Sequence, residues 1–280
     1  MRNAAATIGA AVRSVQLQTL RDWELIVIDD GSSDKSAEIV GAFEDDRIRL
    51  IREATSAGLA TRLNQAVALS RGDYVARLDA DDICFPERLA RQVEHLQHDP
   101  RIDLLGCGAV VFADDARLVG MLPIEVTHAK ITAQPFRGFP LPHPTWCGRA
   151  DWFRNNPYDA RLMKTQDQDL LLRAFAHGRF AALTDVLVGY RQDELGLKKM
   201  LQGRRIFIGS LWRYAQRSNW PMPALWGIIA QLLKGAADVA TIGLGFRELA
   251  QRSRLKPVPP SVEQRWLELQ LCVGINKAVD

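Results

Sequence analysis

The chain is poor in features that would settle its class at a glance. Only four cysteines occur in 280 residues, at positions 84, 107, 147 and 272, and no two are spaced as C-x-x-C. That argues against a disulfide framework or a cysteine-built zinc site and suits reduced core thiols in a cytosolic protein. A strong charge of one sign is missing as well. The formal net charge of +3 is too small to imply a nucleic-acid partner. No low-complexity tract and no repeat of solenoid period is visible. The opening stretch MRNAAATIGAAVRSV is short, Ala-rich and broken by Gly9 and Arg13, so it reads as an amphipathic helix rather than a secretory leader. One long apolar run, residues 224–246, matches a bilayer span in length. It carries Gln231, Lys234 and Asp238 near its middle, where charge is costly in lipid, so a buried or interfacial helix is expected.

What is present is a soluble, globular composition, 47% hydrophobic and 25% charged, and the length suits one large domain or a domain with an appendage. The first half alternates. ELIVID is a strand, residues 35–43 a helix and IRLI a second strand. Leu59, Leu63, Ala66, Val67 and Leu69 mark a helix over residues 58–70. DYVARL is a third strand, Pro86 opens a helix with Leu89, Val93 and Leu96 on one face, and IDLLGCGAVVF is a fourth strand. Such alternation predicts an α/β fold, a mostly parallel sheet flanked by helices. A Pro- and Gly-broken loop over residues 135–144, a helix over 166–177 and the strand AALTDVLVGY close this part, and the chain is helical in pattern after Gly196.

Acidic clusters fall at two predicted strand ends, Asp29-Asp30 and Asp79-Ala80-Asp81 with Asp82 beside it. Ligand sites of open α/β sheets lie at the C-terminal ends of strands. Two carboxylates one residue apart in extended backbone project to one side and converge on a hard cation, with phosphate oxygens completing its shell. The plainer alternative is that these aspartates are turn residues before a Pro-started helix.

Four blocks in order, ELIVIDDGSSDKSAEI, GLATRLNQAVALSRGDYVARLDADD, PHPTWCGRADWF and TQDQDLLLRAFAHG, resemble a family 2 glycosyltransferase of the GT-A fold over roughly residues 3–192. The resemblance implies that Asp30 holds the nucleotide base, that Asp79 with Ala80 addresses the ribose of the nucleotide sugar, and that Asp81 ligates a divalent Mn or Mg ion. Asp82 supports that site, and Asn64 is assigned a structural role first. The acceptor hydroxyl needs a carboxylate base. Relatives supply it from a Glu-Asp pair, matched here by Gln166-Asp167, so Asp167 is the expected base and Gln166 is a departure. Thr165 and Gln168 also read as a capping box, and Asp169 as a solvated helix residue. His143 is either an acceptor-loop residue or a turn residue. Asp193 stands near the place where many relatives carry a histidine, so no metal histidine is assigned.

The resemblance further implies an inverting transfer from a nucleotide-diphosphate sugar, most readily a UDP-sugar, to a saccharide or lipid-linked acceptor, in cell-surface polysaccharide or glycolipid synthesis. Residues 1–195 would form the catalytic domain and 196–280 a helical extension. Relatives begin with a central strand that has no counterpart before Asn3, and the expectation is a start site assigned too late. Residues 197–217 place cationic side chains, Trp212 and Tyr214 on one helix. This suits either a packed helix with a basic face or one lying on an anionic membrane surface, a peripheral contact at the cytoplasmic face. A catalytically impaired homologue, a receiver-type signalling domain and a D-x-D phosphatase are the rival readings. The last two fit the block order and the Asp82-Ile83 pair poorly.

Overall fold

The computed structural model describes residues 1–192, 196–243 and 255–275. Helix α1 (Ile8–Gln16) buries Ile8, Ala11, Val12 and Val15, a spacing that lays one apolar stripe against the sheet. Strand β1 (Leu25–Asp30), helix α2 (Ser36–Gly41) and strand β2 (Ile48–Glu53) form a crossover unit. β1 and β2 pair in parallel from Leu25 opposite Ile48 to Asp30 opposite Glu53, and Val12, Val27 and Val40 close a small core between them. At the other edge of β1, the Met1 amino group donates to the Ile28 carbonyl at 2.6 Å. The Asp30 N–H donates to the Met1 carbonyl at 2.9 Å. Among the described residues, no further strand lies along that edge.

Helix α3 (Leu59–Leu69) leads to strand β3 (Tyr74–Ala76), and β4 (Ile83–Cys84) precedes helix α4 (Arg88–His98). Then follow β5 (Leu104–Phe112), β6 (Leu118–Met121), the short helix α5 (His128–Ile131), β7 (Cys147–Arg149), α6 (Ala150–Asn155), α7 (Gln166–Ala174) and β8 (Phe180–Arg191). These strands make a second sheet in the order β3-β7-β5-β8-β4, with β6 on β5. The long ladder, β5 with β8, is parallel; the short strands β3, β4, β6 and β7 attach antiparallel. Every residue of β5 is buried, as expected of a strand covered on both faces.

Among the described residues three further helices follow: α8 (Leu197–Arg217), α9 (Met222–Gly243) and α10 (Pro260–Val273). α10 lies on the β5–β8 core, where Trp266 is 1% exposed and packs on Phe112 with ring centroids 4.7 Å apart. Gly189 of β8 is required there, because a β-carbon would overlap the Trp266 ring. α8 packs on α7 and pairs with α9. α9 is turned inside out. Its polar Gln231 and Asp238 are buried against Arg204 of α8, at 2.9 and 2.7 Å. Trp226, Ile229, Leu232, Leu233 and Val239 face outward. By length and composition α9 could cross a membrane, yet only 22% of its apolar window is buried in the protein. Of the buried and interfacial placements expected for this helix, the exposed apolar face excludes the fully buried one. The four cysteines are free thiols.

Candidate active site

β3 ends at Ala76, but the Arg77 N–H still reaches the Trp146 carbonyl at 2.9 Å, so the chain enters the acidic run in register with the β7 segment. The run then turns rather than staying extended, because the Asp82 N–H closes onto the Asp79 carbonyl at 3.3 Å. This turn, not alternate side chains of a strand, is what gathers the carboxylates. One oxygen from each of Asp79, Asp81 and Asp82 lies within 4.8 Å of the others. Asp82 is fully buried. One of its oxygens accepts from the Arg191 N–H at 2.8 Å, and the other has no hydrogen-bond partner among the described residues. Burial first, then the charges of Asp79 and Asp81, push its carboxyl well above the usual carboxylate range. Asp81 is the most open of the three. Desolvation in the cleft and the neighbouring Asp79 also hold it up. An all-oxygen donor set with a buried, unpartnered oxygen fits a hard divalent cation.

Arg77 was not assigned a role from sequence, yet it sits at the centre. One of its terminal nitrogens pairs with Asp79, while Nε and the other terminal nitrogen are buried without partners among the described residues. Its charge is felt by Asp82, Asp167, His143 and Tyr158. Arg88, 1% exposed, fixes the floor beneath it. Its guanidinium donates to the carbonyls of Arg77, Pro144 and Trp146 at 2.7, 2.9 and 3.2 Å.

Asp167 opens α7, and burial raises its carboxyl above the usual range. The capping box expected from Thr165 and Gln168 is absent. Thr165 is in the left-handed region at φ 55° and its hydroxyl donates to the Lys164 carbonyl. Gln168 instead reaches the Phe139 N–H at 2.7 Å and donates weakly to Asp167 at 3.3 Å. Gln166 is buried, its side-chain oxygen unpartnered. Asp169 is not solvated as expected: it is 4% exposed and bridges Arg173 and Arg213.

Asn64 has the expected structural role, and a specific one. Its amide donates to the Tyr158 carbonyl at 2.9 Å and accepts from the Tyr158 N–H at 2.9 Å. Tyr158, missed in the sequence, thereby presents its hydroxyl to His143 Nε2 at 2.8 Å. His143 is buried, and burial with the Arg77 charge lowers its pKa well below the usual value, which keeps the ring neutral.

Asp30 is committed to the protein. Its carboxylate accepts from Ser56 Oγ, the N–H groups of Ala57 and Gly58, and Arg62 Nε, all at 2.7–3.0 Å. Burial alone would raise its pKa, but these donors hold it far below the usual range. Together they fix the orientation of the carboxylate at the end of β1. Asp29, Asp30 and Asp79 all act on the Met1 amino group, so the two acidic clusters do face one region. Ala80 packs against the core between α1 and β1. Asp193 lies outside the described residues. Arg191, also missed, donates from Nε to the Asp81 carbonyl at 3.1 Å and from a terminal nitrogen to Asp114 at 3.0 Å.

The sequence profile described as "Glycosyl transferase family 2" matches residues 1–155. The protein named "Putative glycosyltransferase EpsE" of Bacillus subtilis is 34% identical over 208 residues, covering 70% of this chain and 72% of that one. Among solved structures, Staphylococcus aureus TarS 1–349 in complex with UDP-GlcNAc superposes with a TM-score of 0.62 at 16% identity, covering 96% of this chain and 77% of that one. The mannosyltransferase PcManGT of Pyrobaculum calidifontis, in complex with GDP-Man and Mn2+, gives 0.56 at 17% identity, covering 98% and 83%. These two share the fold, and the profile and EpsE carry the family. The chain belongs to glycosyl transferase family 2, as a glycosyltransferase with the GT-A fold.

Proposed function

We propose that this enzyme is an inverting glycosyltransferase that takes a sugar from a nucleoside-diphosphate donor, UDP-linked by preference, and passes it to a hydroxyl of a saccharide or lipid-linked acceptor. The setting is synthesis of cell-surface polysaccharide or glycolipid at the cytoplasmic face of a membrane. The observation that supports this most is the carboxylate turn at Asp79, Asp81 and Asp82 with its unpartnered buried oxygen. The nucleotide sugars in the TarS and PcManGT structures favour the same donor class.

Asp81, with Asp79 and Asp82, would hold a Mn or Mg ion, which when bound neutralises charge developing on the leaving diphosphate. Asp79 and Ala80 line the ribose side. Asp30 addresses the nucleotide base, and it also fixes the backbone of that pocket at Ala57 and Gly58. Asp167 takes the proton of the attacking hydroxyl as the anomeric carbon inverts. Its raised pKa makes it a stronger proton acceptor than an exposed aspartate. Arg77 orients Asp79 by pairing with its carboxylate, and His143 holds the Tyr158 ring through its hydroxyl.

The test is a thermal-shift screen of nucleoside diphosphates with and without Mn2+. Stabilisation should be metal-dependent and strongest with one base, reaching about 2.7 kcal/mol at a hundredfold excess over Kd. Asp81→Asn should remove it. The buried, unpartnered Gln166 favours one second reading, a nucleotide-sugar-binding homologue that has lost turnover; nucleotide-dependent stabilisation without sugar transfer would establish it.

A further inference from the structure

A cavity of about 390 Å³ opens beside the cleft, between α7, α8 and the loop after Pro157. Among the described residues Arg161, Arg173, Arg213 and Arg217 line it, against only Asp159 and Asp169. Both acids are already engaged. Asp159 takes two nitrogens of Arg161 at 2.8 Å. Asp169, nearly fully buried, is shared between Arg173 at 2.9 Å and Arg213 at 3.2 Å. One carboxylate thus serves two guanidinium groups. Arg217, exposed at the end of α8, has no hydrogen bond or ion pair among the described residues. Four cations against two anions leave an excess of two positive charges in one concavity. Guanidinium forks of this kind match the oxygens of a phosphate better than those of any neutral ligand.

The position of the cavity says what its ligand belongs to. Tyr158 lines the cavity, and its hydroxyl is in the field of Asp167 and Asp79. The same side chain thus lines the cavity while its hydroxyl is held to His143 at 2.8 Å. On the other side, Tyr214 lines the cavity and meets Phe136 edge-on, ring centroids 5.3 Å apart. Phe136 in turn borders an apolar groove of about 670 Å³ walled by Trp226, Ile229 and Leu233 of α9. The order is proton acceptor, cationic cavity, apolar groove, with one aromatic layer at each boundary.

We propose that the arginine cavity binds the phosphate or diphosphate group of the acceptor, so that the acceptor is a phosphorylated molecule whose free hydroxyl reaches Asp167. This deepens the glycosyltransferase reading and rests on it for the word acceptor. The binding chemistry itself does not depend on it. A phosphate ester of a soluble sugar and a prenyl diphosphate carry the same recognised group, and the groove gives the second a place for its chain.

The experiment is calorimetric titration of the 280-residue chain in EDTA, which removes divalent ions from the cleft. Inorganic pyrophosphate and a ten-carbon prenyl diphosphate are the probes, against wild type, Arg217→Gln, Arg213→Gln and Asp81→Asn. Arg217 holds nothing in place, so Arg217→Gln leaves the fold intact. It should weaken pyrophosphate binding roughly tenfold, as loss of a charged hydrogen bond does, and Arg213→Gln at least as much. Asp81→Asn should leave it unchanged. In turnover assays Arg217→Gln should raise the KM for acceptor and spare the KM for donor. The proposal is overturned if wild type binds no pyrophosphate, if both arginine variants bind it normally, or if Asp81→Asn abolishes binding. A prenyl diphosphate bound tenfold tighter than pyrophosphate assigns the phosphate to a lipid carrier; equal affinity assigns it to a soluble ester. If Arg217-dependent binding persists while no nucleotide stabilises the protein, the donor reading fails and the cavity stands.

Discussion

At the scale of single residues, the site is a set of carboxylates held in different states by their surroundings. Asp30 is charged and saturated by four donors, whereas burial lifts Asp167. A base works only after losing its proton, so kcat/KM should rise with pH through a limb lying above the ordinary aspartate range. Asp167→Asn should lower kcat by about 10²–10⁴-fold and remove that limb, as steady-state rates across pH will measure; an unchanged rate takes the base role away from Asp167. The three cleft aspartates were legible because they are neighbours in sequence, and Asn64 because it repeats a motif position. Arg77 was within view, two residues before Asp79, but nothing local says which way its guanidinium turns. Tyr158 was out of reach, since its place depends on Asn64, 94 residues earlier. The false capping box has a local cause. Thr165 carries the right hydroxyl, but its left-handed backbone, φ 55°, aims that hydroxyl away from the helix.

At the scale of elements, periodicity located nearly every helix and long strand, because each buries one face or both. For α9 it left a buried and an interfacial placement open, because sequence hydropathy records how much apolar surface there is and not which way it faces. Arg204 draws Gln231 and Asp238 inward, and that fixes the rotation of the helix with Trp226 and Leu233 outward. Lys198, Lys199 and Arg205 are exposed on the paired α8. Apolar anchors beside a basic face suit adsorption to an anionic bilayer. The protein should therefore sediment with phosphatidylglycerol vesicles and not with neutral ones. Trp226→Glu with Leu233→Glu should weaken that partition by roughly tenfold or more without lowering thermal stability. Failure of wild type to sediment with anionic vesicles would sink the idea.

At the scale of the whole molecule, α10 packs into the β5–β8 core far from it in sequence. The Trp266 indole donates to the Ala116 carbonyl at 2.9 Å while its ring fills the space between Phe85 and Phe112. Arg13 of α1 donates to the Val273 carbonyl at 2.8 Å. Trp266→Ala should cost about 3–5 kcal/mol, read from the midpoint and slope of urea unfolding; a loss under 1 kcal/mol would show that α10 is dispensable to the core. None of this was legible, since the sequence shows that α10 is helical but not which surface it closes. The same placement sets a schedule for biosynthesis. The inner face of β5 and its partner β8 are complete once Arg191 has been made, but the helix that seals them ends at Val273, about 80 residues later, which is roughly 4–16 s at ordinary translation rates. For that interval the nascent chain carries an open apolar wall at the ribosome, so its yield depends on whatever shields the wall until α10 arrives.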